Sequence, residues 1–206
     1  MNDPGPSNGP RPPIPAWLKY SFTSFVGILV PLYWREYGPV NFLWFSDLAL
    51  FAIVISLWTG HPLPASMLAV GVLLIEVVWI IDFALLVVAG SSPTGWSNYM
   101  ISEDIPVGVR VVSLFHLALP PLLLWMTRRL GYDRRAWAAQ SVLTLVVLPV
   151  TWLVSPLDRN INWVHGPGQP QQWVPPLAWL GLLMAVLPLV VYAITHRLLI
   201  WWAERR

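Results

Sequence analysis

VRVVSLFHLALPPLLLW, residues Val109 to Trp125, decides the class of fold this chain adopts. It is continuously apolar over nearly the length a bilayer-crossing helix needs, roughly 17–25 residues. Near its middle sits one ionisable group, His116. An imidazole in hydrocarbon is costly, so such a residue is by default a functional-site hypothesis. Four and five residues further on stand Pro120 and Pro121, which lack backbone N–H donors and release carbonyls in the preceding turn. A buried histidine next to a double proline points to a membrane helix with an internal polar site.

The rest of the chain repeats this composition. Of 206 residues, 56% are hydrophobic and 11% charged, far from the balance of a soluble domain. Apolar runs recur at bilayer-spanning length, which gives an all-α, polytopic membrane protein built as one helix bundle. The length leaves no room for a separate soluble catalytic domain. The net charge of +2 comes from loop arginines, with no long basic run, so no nucleic-acid surface is expected. With no cysteine, disulfides, thiolate catalysis and cysteine metal sites are excluded. Several of the tryptophans sit near span ends, where interfacial belts form.

In order, residues 1–15 form a proline-rich tail, extended or disordered and without the features of a signal peptide. Six spans follow in residues 16–206: about 17–34, 40–59, 64–89, 109–125, 136–154 and 175–202. The first is interrupted by Ser21, Thr23, Ser24 and Pro31, and an interfacial helix is its alternative. Two long polar loops, 90–107 and 156–173, join the third span to the fourth and the fifth to the sixth. Nine Lys and Arg fall on the side of the tail and C-terminus and three on the other. Positive charge marks the cytoplasmic side, so both termini are expected inside. The location this implies is a bacterial cytoplasmic membrane.

Depth then brings polar residues together. Asp47, Asp82 and His116 each lie seven or eight residues from the outer end of their spans, roughly 10–12 Å below the surface at 1.5 Å per residue. A histidine, a carboxylate and a hydroxyl are the parts of a base, an orienting group and a nucleophile. The candidate catalytic set is His116, Asp47 and Asp82, with Ser46 or Ser113 as hydroxyl. Structural alternatives stand beside it: either Asp could pair with Arg110, and Glu76, deeper in the third span, could be protonated or bonded to a neighbour. Trp44 and the loop residues Asn160, Asn162, Trp163 and His165 form the candidate substrate-binding set, over a level that also holds Asp158 and Arg159. There is no GxSxG, and no HExxH or comparable metal motif, so a divalent metal held by the two Asp and one or two His is the weaker alternative, and no cofactor is expected. Membrane lipid is the expected partner, with non-catalytic binding of a lipid headgroup or quinone as the alternative.

Four segments, 37–51, 113–125, 129–140 and 159–168, resemble a group of bacterial six-span membrane-associated proteins. Phe42-Leu43-Trp44-Phe45-Ser46-Asp47, together with His116 and Pro121, is more remotely similar to the androgen-induced family of intramembrane fatty-acid-ester hydrolases. That resemblance implies six spans and ester hydrolysis through a Thr and a His. The family's Thr falls on Trp44, and Ser46 lies two residues on, about 200° round the helix. The expectation is an intramembrane lipid-ester hydrolase or acyltransferase using His116; a non-catalytic lipid- or partner-binding protein is the competing expectation.

Overall fold

The chain is seen here in a computed structural model that describes residues 14–205. Most of the expected tail lies outside those residues. Helix α1 spans Ala16–Tyr37. A 3-10 turn at Pro39–Leu43 follows, then α2 at Phe45–Thr59 and α3 at Pro62–Ala89. After the first long loop come α4 at Val107–Ser113 and α5 at Phe115–Leu130. Next is α6 at Ala136–Val154, then the second long loop. The last rod is α7 at Pro176–Val186, a π segment at Leu187–Tyr192, and α8 at Ala193–Glu204. Among the described residues there is no strand.

Among the described residues, four rods are long and apolar enough to cross a membrane: Pro62–Ala89, Val107–Leu130, Ala136–Val154 and Pro176–Glu204. Their outward faces stay apolar, as at Val78, Ile81, Val88, Val142, Leu153, Leu182 and Leu189. A surface of that kind suits a hydrocarbon solvent. Helix α1 has the length but carries Lys19, Arg35 and Glu36 with several hydroxyls. Helix α2 is apolar but only 15 residues long. It starts at Phe45 rather than at the expected residue 40, because Gly38, at φ +76°, and Pro39 turn the chain and residues 39–43 wind as 3-10.

Local signals fix the other ends. Gly60 and Gly90 adopt left-handed C-caps that close α2 and α3. The His61 side chain accepts the Leu63 N–H, and Pro62 opens α3. Helix α3 is the centre of the bundle, packed against α2, α5, α6 and α8. Its buried face runs through Ala65, Ala69, Val72, Glu76 and Trp79.

The double proline does not break its helix, since α5 runs through Pro120 and Pro121. The interruption falls earlier, at Leu114, whose amide bonds the Val111 carbonyl three residues back. There the Ser113 hydroxyl donates to the Val109 carbonyl at 2.7 Å, a back-bond that bends helices. The π segment holds Pro188, whose own carbonyl accepts the Trp137 indole N–H at 2.9 Å.

Candidate functional site

Helix α3 supplies the anchor. Glu76 is buried, and its Oε2 lies 2.8 Å from Nδ1 of His116 at the start of α5. The two side chains are 4% and 13% exposed, so the pair is held almost out of solvent. The imidazole stacks on Trp79, one turn along α3 from Glu76, with ring centres 4.5 Å apart. It also stacks on Phe115, at 4.1 Å. An ionised carboxylate only accepts, so with Glu76 charged the Nδ1 carries the proton and Nε2 is the ring's remaining base.

This dyad lines a cavity of about 580 Å³ at the end of the bundle where both long loops lie. Trp44, Ser46, Asp47, Trp79, Trp96, Tyr99, Arg159 and Trp163 also face it. Asp47 sits in the first turn of α2 and is 2% exposed. Its Oδ2 accepts from the Asn41 amide at 2.9 Å, and its Oδ1 is buried with no hydrogen-bond partner. Tyr99 lies in the first long loop, where burial raises its phenol above the usual range and keeps it protonated.

Of the expected residues, His116, Asp47 and Ser46 therefore share one cavity. Asp82 does not join them. Its carboxylate accepts the Ser92 hydroxyl at 2.5 Å, the Thr94 N–H at 2.8 Å, and the Ser97 N–H and hydroxyl at 3.1 and 2.6 Å. It ties the first long loop to the end of α3. Asp82 lies six residues from Glu76, about 240° round the helix, so matching depth did not mean a matching face. Arg110 forms no ion pair with either aspartate among the described residues.

Ser113 is fully buried and committed. Its O–H already donates to the Val109 carbonyl, so it accepts from the Tyr33 hydroxyl at 2.6 Å. Ser46 lies on the cavity wall. No hydroxyl is hydrogen-bonded to His116 among the described residues, so the expected serine–histidine pair is not formed. Among the described residues there is also no group of three His, Cys, Asp or Glu that could hold a metal ion.

The second long loop is a built structure. Asn162 uses both ends of its amide on the start of α2: Nδ2 donates to the Leu43 carbonyl at 2.8 Å and Oδ1 accepts the Phe45 N–H at 3.2 Å. Asn160 donates to the Gly166 carbonyl and accepts the His165 N–H, each at 2.8 Å. The His165 ring Nε2 lies 3.2 Å from the Ser155 carbonyl. These three are loop-building residues, although Asn160 and Asn162 also reach the cavity wall. Trp163 is a wall residue throughout, stacked on Trp96 at 4.3 Å and meeting Trp44 edge-on at 5.9 Å. Asn160, Asn162 and Trp163 all hold positive φ, +40°, +53° and +56°. A tryptophan there is strained and persists only because its surroundings fix it.

Glu76 and Trp79 are the site residues that depth alone did not single out. Both were legible as one face of α3: Val72, Glu76 and Trp79 follow the four-and-three spacing of a single helix stripe. Set against known proteins, the chain matches no family model, no curated protein and no solved structure.

Proposed function

We propose that this is an integral membrane protein that takes the polar part of a lipid into the loop-covered cavity and acts on its acyl ester by acid–base chemistry. The observation that carries this is the Glu76–His116 contact of 2.8 Å on the cavity wall. A carboxylate holding an imidazole fixes its tautomer and stabilises the imidazolium that forms when the ring takes a proton. In this reading His116 is the general base and Glu76 its orienting partner. Asp47 is a second carboxyl in the same cavity.

With Ser113 committed and Ser46 not bonded to the ring, the nucleophile the site favours is water. His116 takes a proton from water as the oxygen attacks the acyl carbon. The ester C–O bond then breaks, and the alcohol leaves with the proton that His116 returns. The acyl chain is released as a fatty acid.

The same proposal includes the topology. Helices α1 and α2 also cross, making six spans, with the 3-10 turn extending the reach of the short α2. Both termini face the cytoplasm, supported by the nine-to-three division of Lys and Arg. The cavity then opens toward the outer leaflet of a bacterial inner membrane.

The test is turnover by the purified full-length chain in nanodiscs containing ester lipids, in ¹⁸O-labelled water. Wild-type protein should release fatty acid carrying the label, and His116→Ala should lower the rate at least about 100-fold, the scale of a general base. Release that survives the substitution unchanged removes the proposal. Label found in the released alcohol rather than in the acid would mean cleavage of the alkyl C–O bond, and would contradict attack at the acyl carbon.

A second reading is non-catalytic lipid binding. It is favoured by the tryptophan wall of Trp44, Trp96 and Trp163 and by the lack, among the described residues, of a hydroxyl bonded to His116. A co-purifying lipid that is never turned over would select it.

A further inference from the structure

The charge of the cavity wall is unbalanced. Asp47, Glu76 and Asp158 face it, against one permanent cation, Arg159. His116 is engaged with Glu76. Asp47 is left with no Lys or Arg partner among the described residues, and its Oδ1 is buried and unpaired while the residue itself is only 2% exposed. A buried carboxylate oxygen without a partner is costly and calls for a donor or a cation. Beside it the wall is aromatic. Trp163 packs on Trp96 and Trp44, and all three line the same cavity. Aromatic faces next to carboxylates are the means by which proteins recognise quaternary ammonium groups. Arg159 lies at this wall too, its guanidinium 5.5 Å from the Tyr37 ring, and is exposed. Among the described residues it is the one permanent cation lining the cavity, and a guanidinium suits a phosphate.

We infer that the cavity recognises a positively charged nitrogen, an ammonium or quaternary ammonium group, held by Asp47 and the tryptophan wall, with Arg159 taking an attached phosphate. This names the headgroup chemistry of the site described above and rests on reading that cavity as a ligand site; it does not need hydrolysis. Two sources offer this chemistry: the zwitterionic headgroup of a membrane lipid, and a free quaternary amine.

The experiment is isothermal titration calorimetry of the full-length chain in maltoside micelles, with tetramethylammonium, phosphocholine and inorganic phosphate as separate titrants. Tetramethylammonium and phosphocholine should bind, and inorganic phosphate should bind more weakly than either. Asp47→Asn and Trp163→Leu should each weaken tetramethylammonium at least about tenfold, the scale of a desolvated cation–aromatic contact or charge pair. If Asp47→Asn fails to fold, Trp163→Leu and the ranking of the three titrants on the wild type still decide the matter. Tighter binding of phosphocholine than of tetramethylammonium, lost in Arg159→Gln, identifies the lipid headgroup. Equal binding that is indifferent to Arg159→Gln identifies a free amine and removes the phosphate role of Arg159; both outcomes support the cation site. No binding of either cation, phosphate binding more tightly than tetramethylammonium, or an Asp47→Asn protein that binds like wild type overturns it. Repeating the titration with His116→Ala separates the two claims. In His116→Ala, cation binding should persist although turnover is lost; in the wild type, cation binding without ester turnover defeats only the hydrolase reading, and turnover without cation binding defeats only this inference.

Discussion

Three carboxylates in the bundle, Asp47, Glu76 and Asp82, look alike in the sequence and serve different ends. Glu76 grips His116, Asp82 collects a loop, and Asp47 keeps one oxygen unpaired at the cavity. Their variants should separate accordingly. Glu76→Gln keeps the shape but removes the charge that orients the ring and stabilises its protonated form. It should lower ester turnover about 10–100-fold, within the range of a general-base effect, with melting temperature nearly unchanged; kinetics and thermal unfolding in nanodiscs check both. Asp82→Ala should do the reverse. It leaves the donors of Ser92, Thr94 and Ser97 without their acceptor, and bonds to a charged group are individually strong. A loss of about 2–4 kcal/mol follows if the net cost equals one to two such bonds. Denaturant unfolding in detergent would read it.

At the scale of elements, α3 does most to place the site, and its packing is tight. A Cβ on Gly71 would lie 2.5 Å from the Gln140 amide nitrogen of α6. Gln140 is fully buried, so its side chain has little space in which to retreat. Gly71→Ala should cost about 1–3 kcal/mol, the usual penalty of overpacking. Gly71→Ala with Gln140→Ala should recover part of it, as coupled neighbours do. Unfolding of the two single variants and the double variant makes the comparison. The rods themselves were legible in the sequence because hydrophobic length and Gly-Pro punctuation are local. So was His116, an isolated polar group in an apolar run. What escaped is azimuthal and long-range. Asp82 shares a depth with His116 but not a face. Asn162 looked like a ligand contact, yet its amide clamps a backbone about 120 residues away, a pairing that no local pattern encodes. The start of α2 moved to Phe45 for a local reason instead: the Gly38–Pro39 turn sends residues 39–43 into a 3-10 segment, a winding that hydrophobic length does not reveal.

The whole molecule has two unlike ends. One carries both long loops and the cavity. The other is polar and compact: Tyr132 bonds the His196 ring at 2.5 Å, the Asp133 N–H donates to the Ser66 hydroxyl, and Arg134 pairs with Glu204 at 2.6 Å. There the Arg135 guanidinium and backbone N–H hold the Asp133 carboxyl below the usual carboxylate range. A depressed folded value means that the stabilisation is complete above the unfolded value of about 3.9 and is lost as pH falls through the lower folded value. The gap in melting temperature between wild type and Asp133→Asn should therefore be widest near neutrality and narrow below about pH 4. Because the chain has no cysteine, single cysteines can report topology without background. One placed at Thr59 and another at Gln169 should react with an impermeant maleimide from opposite sides of the membrane. Labelling of both from one side would contradict the proposed arrangement.

The central claim is that Glu76 and His116 act as one unit on a bound lipid ester. The most direct measurement is a double-mutant cycle on ester turnover in nanodiscs, comparing wild type, Glu76→Gln, His116→Ala and the pair. Groups that act together are strongly non-additive. The account predicts that adding Glu76→Gln to His116→Ala costs almost nothing further. Two penalties that simply multiply, or a His116→Ala protein as active as wild type, would contradict it.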